Sequence, residues 1–239
     1  MDMGKSIKSR MTRMRTKPRF FDYCYFASRS NLNVLNTLKG LVSKEDTIVD
    51  IGCGSKPFQN FFTCKSYLGL DFNPVDATVL RHDLNDPLPF ADNSQTHIIL
   101  SEVLEHVPEP YRVLDEVHRV LKSDGIIFMS TPFAIPVHGA PFDFFRYTYL
   151  FYENLEQKYG WELNTFRASN AALSSPFQIA NQLALGLPLP FWSKYPLWIV
   201  SNVASLALEA LVKILPAGLR RKLTLAFPMG YAAILKVKK

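Results

Sequence analysis

Residues 48–58 read IVDIGCGSKPF, and the rest of the chain is organised around them. Ile48, Val49 and Ile51 favour strands; Asp50 stands among them, and Gly52 and Gly54 follow with one residue between. An apolar run that ends in glycines reads as a buried strand entering a tight turn. Such a turn lets backbone N–H groups approach a ligand closely. Alone it is a weak signal. It gains weight from YLGLD at 67–71, HDL at 82–84 and IILSEVLEHV at 98–107.

Outward from this turn, the pattern predicts strands at 47–51, 67–70, 78–80, 97–100, 126–130, 161–166 and 230–237. Helices are expected at 31–42, 57–63, 108–122 and 148–159. The clearest is 108–122, with an apolar stripe at Val113, Leu114, Val117, Val120 and Leu121 before a Ser-Asp-Gly turn. Strands alternating with helices imply an α/β fold, a mostly parallel sheet with helices on both faces. In such sheets ligands lie beyond the carboxyl ends of the strands. Polar residues wait at each of those ends: Asp50, Asp71, Asp83, and the pair Ser101 and Glu102.

The glycine turn and these four strand ends resemble the S-adenosylmethionine (SAM) site of class I methyltransferases of the broad type 11 family. The resemblance covers about 43–161 and implies a seven-stranded Rossmann-like methyltransferase sheet with SAM as cofactor. It implies that Gly52 and Gly54 form the turn beside the methionine part, and that Asp50 orders this turn or meets the methionine amino group. Asp71 would accept the ribose hydroxyls. Asp83 and Leu84 would hold the adenine, and Ser101 and Glu102 would border the methionine part. The chain departs from the commonest motif by having Lys56-Pro57 where a third glycine often stands. That makes Lys56 an extra contact candidate and argues against NAD, which prefers GxGxxG.

A second stretch, STPFAIPVHGAPFDFFRYT at 130–148, follows the fifth strand, where the acceptor side of this fold begins. His138, Asp143 and Arg146 are its catalytic candidates. His138 would take an acceptor hydroxyl's proton, and Arg146 would clamp a phosphate or carboxylate. The competing reading is an Asp143–Arg146 pair that pins the loop. His106 has two readings as well, a helix cap or a wall of the methyl channel. His82, His97 and His118 read as structural, and no spacing suggests a metal site.

The remaining chain is less ordinary. Residues 1–21 hold seven Lys and Arg against Asp2, which equals the whole net charge of +6. The excess thus reads as a basic disordered arm at 1–19, able to touch anionic lipid or nucleic acid or to remain solvated. It lacks the apolar core of a signal peptide. The core domain is expected at 20–170 and its last strand at 229–239. Between them, 171–228 is an apolar helical insert. A helix at 197–215 shows one narrow polar stripe at Ser201, Ser205, Glu209 and Lys213. A membrane-spanning helix needs about 18–20 apolar residues. The charge-free part, 195–208, is shorter, so a lid, a dimer interface or a membrane-surface element is favoured over a span.

Three cysteines without metal spacing suit a reducing cytoplasm. Nucleic acid is disfavoured as substrate: SEVL stands where base-modifying enzymes carry an NPPY-like run, and no Pro-Cys nucleophile occurs. The expected function is O-methylation of a small-molecule, glycan or lipid-linked acceptor at the inner membrane surface. The alternatives are a methyltransferase of a soluble metabolite and a non-catalytic SAM-fold partner protein.

Overall fold

The computed structural model describes residues 3–75 and 77–238. Asp2 of the basic arm and Lys239 after the last strand lie outside them. The chain divides into two compact units.

The first unit, 33–131, 139–166 and 232–239, carries the sheet. Its strands are β1 (Thr47–Ile51), β2 (Ser66–Asp71), β3 (Val79–Arg81), β4 (Gln95–Ser101), β5 (Leu121–Pro132), β6 (Glu162–Ala168) and β7 (Gly230–Lys236). Their order is β3-β2-β1-β4-β5-β7-β6. The pairings from β3 to β5 are parallel. β7 runs the other way. Asp124 N–H donates to Val237 O, and Phe133 N–H donates to Met229 O, so numbers rise on β5 as they fall on β7. β1 is central because Ile48 to Ile51 are buried and each is flanked by partners on β2 and β4. A strand buried on both faces needs the continuous apolar run that opens this sequence.

The chain leaves β1 toward β2 and β3, then returns to β4 on the other side. Right-handed crossovers therefore put the connections on opposite faces. The reversal falls between β1 and β4, the switch point where a crevice opens. α3 (Pro110–Val120) joins β4 to β5 with Val113, Leu114, Val117 and Val120 buried. α4 (Tyr149–Tyr159) precedes β6.

One predicted helix is missing. Residues 57–63 hold only a single 3-10 turn, Gln59–Phe61. Phe58 and Phe62 are both buried, and Phe62 is already extended and stacked on Tyr67. Two aromatic anchors four residues apart leave no slack for further turns, and Thr63 and Cys64 are weak helix formers.

The second unit, 1–32, 132–138 and 167–231, is helical. It contains α1 (Met3–Thr16), α5 (Ser175–Leu185), α6 (Tyr195–Lys213) and α7 (Ala217–Leu225). α2 (Tyr25–Lys39) begins in this unit and ends in the other. The arm expected to be disordered is thus largely helix. Met14 is buried with Tyr23 and Trp198, and Arg10 stacks on Phe191 at 4.0 Å. Arg13 grips the Asp22 carboxylate with two bonds of 2.7 and 2.6 Å.

The charge reading also changes. The helical unit holds fourteen Lys and Arg against three Asp and Glu, or +11; the sheet unit holds thirteen against eighteen, or −5. The arm's charge is one part of a polarity built into the fold.

Candidate active site

A pocket of about 490 Å³ opens in the sheet unit beyond the switch point. That lies within the range of ordinary ligand sites. Of the strand-end residues predicted from sequence, Gly52, Asp71, Asp83, Leu84 and Glu102 line it.

The turn after β1 is built from left-handed backbone. Gly52 has φ +64° and Gly54 has φ +54°, a conformation that costs an L side chain. At Gly52 a Cβ would also stand 2.6 Å from Val103 Cγ2. At Gly54 no atom lies within 4 Å of that position. Gly54 N–H is turned instead onto Asp71 Oδ2 at 2.8 Å, while Asn73 N–H reaches Oδ1 at 2.9 Å. Each Asp71 oxygen so accepts one backbone bond and keeps further lone-pair capacity. Asp83 takes two bonds on Oδ1, from the backbone and side-chain amides of Asn85, both at 2.9 Å.

Asp50 and Ser101 face elsewhere. Asp50 is buried and accepts the Tyr67 hydroxyl at 2.5 Å. Burial first, then the Asp50 charge, push the Tyr67 pKa far upward, so the phenol keeps its proton. Ser101 meets Ser130, hydroxyl to hydroxyl, at 3.2 Å inside the sheet. Lys56 is bound to Thr78 through its carbonyl and hydroxyl. The Cys53 thiol is pushed up to about 12, chiefly by burial, which makes it a packing residue.

Sequence reasoning undervalued the histidines. His106 lines the pocket, and His82, taken as structural, lines it too. His106 Nδ1 faces the Phe142 carbonyl. A carbonyl only accepts, so Nδ1 carries the proton and Nε2 is the basic nitrogen. Glu105 Oε1 lies 3.6 Å from that Nε2. Glu105 is fully buried, and burial together with the Glu102 charge drives its pKa well above the usual carboxylate range. The signal available was position: both histidines stand just past strand ends.

In the acceptor stretch, Asp143 and Arg146 form a bidentate pair at 2.5 and 2.8 Å, as the loop-pinning reading requires. Asp143 is the largest cause of a raised Arg146 pKa. His138 belongs to the helical unit, where Nδ1 meets Pro136 O at 3.2 Å. His118 accepts the Trp161 indole N–H at 2.9 Å and is structural.

Comparison with known proteins fits this geometry. Residues 49–129 match the family model described as a methyltransferase domain. An uncharacterised methyltransferase of Mycolicibacterium vanbaalenii is 33% identical over 97 residues, which are 35% of this chain and 38% of that protein. The ubiquinone biosynthesis O-methyltransferase of Pseudomonas paraeruginosa is 28% identical over 116 residues, 42% of this chain and 49% of the relative. The chain therefore aligns with less than half the length of either. Among solved structures, a SAM-dependent methyltransferase from Archaeoglobus fulgidus superposes with TM-score 0.55 at 14% identity, covering 95% of this chain and 98% of that one. At that identity the likeness speaks for the fold. Over 49–129 the chain is thus similar to methyltransferase domains, and its sheet has the fold of SAM-dependent methyltransferases.

Proposed function

We propose that this chain transfers the methyl group of SAM to an oxygen atom of a small lipophilic or lipid-linked acceptor, at the cytoplasmic face of a membrane. The observation that carries the reading is Asp71 at the pocket wall, fixed by the Gly54 N–H and still able to accept two ribose hydroxyls. The rest of the wall suits the same ligand. Gly52 leaves room at the turn, Asp83 has Oδ2 for an adenine amino group, and Leu84 offers an apolar side. Glu102 borders the methionine end. Asp50 supports the turn from behind, and Ser101 acts only through the sheet.

Bound there, SAM supplies a methyl group already activated on a sulfonium. The residues of the chain then align the acceptor and remove its proton; holding reactants in line contributes several kcal/mol. His106 Nε2 is the base at the pocket wall. His138, the base expected from sequence, is the competing candidate. The Asp143–Arg146 pair orders the loop that follows His138 in sequence. Val103, Pro108 and Phe142 give the pocket an apolar side, which supports a lipophilic acceptor. The Pseudomonas paraeruginosa relative, named for O-methylation, supports oxygen as the accepting atom. Free Cys24, Cys53 and Cys64 agree with a reducing compartment.

Calorimetry of SAM with Asp71→Ala tests the cofactor site. A charge-assisted hydrogen bond contributes roughly 1.5–3 kcal/mol, so affinity should fall about 10- to 100-fold. Unchanged affinity would remove Asp71 from the ribose. For chemistry, the isotopically labelled methyl of SAM is followed into organic and aqueous extracts of a deletion strain. Label in the organic phase with the wild-type protein, lost in His106→Ala while SAM still binds, is the expected result. Loss in His138→Ala alone reassigns the base, and label only in water-soluble products excludes the lipophilic acceptor.

A further inference from the structure

α6 is amphipathic in the wrong sense for a helix on a water-facing surface. Leu197, Val200, Val203 and Leu211 of α6, and Ile214 just after it, are exposed at three- and eight-residue spacings, one stripe along the helix. The opposite face buries Ser201, Asn202 and Ser205. Asn202 and Ser205 are satisfied inside the helical unit. Gln178 donates to Asn202 Oδ1 and Ser205 Oγ, and Asn202 donates to Phe20 O and Asp22 O. Glu209, the one acid of α6, accepts Ala171 N–H and the Ser174 hydroxyl. Leu183 and Trp192 add exposed apolar surface before α6 begins.

Charge is the second, independent observation. The unit that bears this apolar stripe is also the +11 unit. Arg10 on α1 stacks at the amino end of α6, and exposed Arg220, Arg221 and Lys222 on α7 follow its carboxyl end.

We propose that the helical unit docks on an anionic lipid bilayer, with α6 lying in the interface. Its outward stripe enters the boundary between headgroups and acyl chains, and the basic residues of α1 and α7 meet acidic headgroups. The inference supplies the surface that the lipophilic-acceptor reading lacks, and it stands on the helical unit alone. Residues 191–213 are long and apolar enough to span, at 23 residues and mean hydropathy 1.4. A span would tear Asn202, Ser205 and Glu209 from their partners in hydrocarbon; lying flat keeps every one of those bonds. A second copy is a poor occupant because two +11 units repel. An uncharged aliphatic stripe is a poor match for nucleic acid.

Flotation of the full-length protein tests this with phosphatidylcholine vesicles and the same vesicles doped with phosphatidylglycerol. The protein should float with the anionic vesicles only, and alkaline carbonate should release it. Val200→Asp with Val203→Asp should abolish flotation. R220S/R221S/K222S should weaken it about 100-fold, near fivefold per charge. Far-UV circular dichroism and SAM calorimetry on the same variants separate a lost membrane contact from a lost fold or a failed cofactor site. Equal binding to neutral vesicles, no flotation, or resistance to carbonate overturns the proposal. So does a dimer broken by Val203→Asp without vesicle binding, or a preference for added RNA over vesicles.

Discussion

Gly52 and Gly54 look alike in sequence and do different work. Both need left-handed backbone, which costs an alanine about 1–2 kcal/mol. Only at Gly52 does a neighbour, Val103, occupy the space of the new Cβ. Gly52→Ala should therefore lower the thermal midpoint more than Gly54→Ala, and Val103→Ala should partly rescue the first without helping the second. Differential scanning calorimetry of the three single variants and two doubles measures this; equal losses would mean that the clash is absorbed. Glu105 gives a pH prediction. Its folded pKa is raised, so the folded state binds a proton more tightly than the unfolded chain. The sign then follows from linkage: stability is greatest at acid pH and declines as pH rises from the usual carboxylate range toward the folded value. Glu105→Gln should match the wild type in urea midpoint near pH 5 and exceed it near pH 8. These residues also mark what was legible. Asp71, Asp83 and Glu102 were readable because each lies at or within two residues of a strand's end, a local feature. Ser101 was misjudged because alternation along β4 aims it at Ser130, and nothing in SEVL reveals which side it takes.

Elements were legible where their stabilising contacts are close in sequence. All seven strands and α3 follow from local apolar pattern. The 57–63 helix failed because Phe58 and Phe62 anchor the connection to the sheet more strongly than propensity shapes it. α1 failed for a longer-range reason. Met14 of its last turn packs on Trp198 of α6, and the segment after it is held by Asn202, some 180 residues away. Composition alone described seven basic residues and no partner. Asn202 is the latch: fully buried, it donates to Phe20 O and Asp22 O and accepts from Gln178 and Asn181. Asn202→Ala leaves those buried groups unpaired at about 1–3 kcal/mol each. It should free the amino-terminal segment, seen as faster tryptic cleavage after Arg15 and Arg19. Cleavage at the wild-type rate would show that Met14 and Arg13 hold α1 unaided.

At the scale of the molecule, the two units differ in what stabilises them. The sheet unit rests on a conventional aliphatic core of Ile48, Ile51, Leu100 and Val117. The helical unit rests partly on a buried network of Asn, Gln, Ser and Glu side chains, with apolar surface outside. Polar networks lose little hydration entropy on forming and fail together when one member goes. Apolar burial carries the large heat-capacity signature. The chain should therefore melt in two steps in detergent-free solution. S-adenosylhomocysteine, filling the pocket of the sheet unit, should raise one step only. At a hundredfold excess over its Kd the stabilisation is about 2.7 kcal/mol. For a unit of this size that is a rise of roughly 5–15 °C. Asn202→Ala should lower the other step and leave the ligand-dependent one in place. Scanning calorimetry with and without ligand, on both proteins, reads the two midpoints of each scan. A single transition that moves with ligand and with Asn202→Ala alike would mean that the polar network and the aliphatic core unfold as one. The +11 and −5 charges would then belong to a single cooperative body.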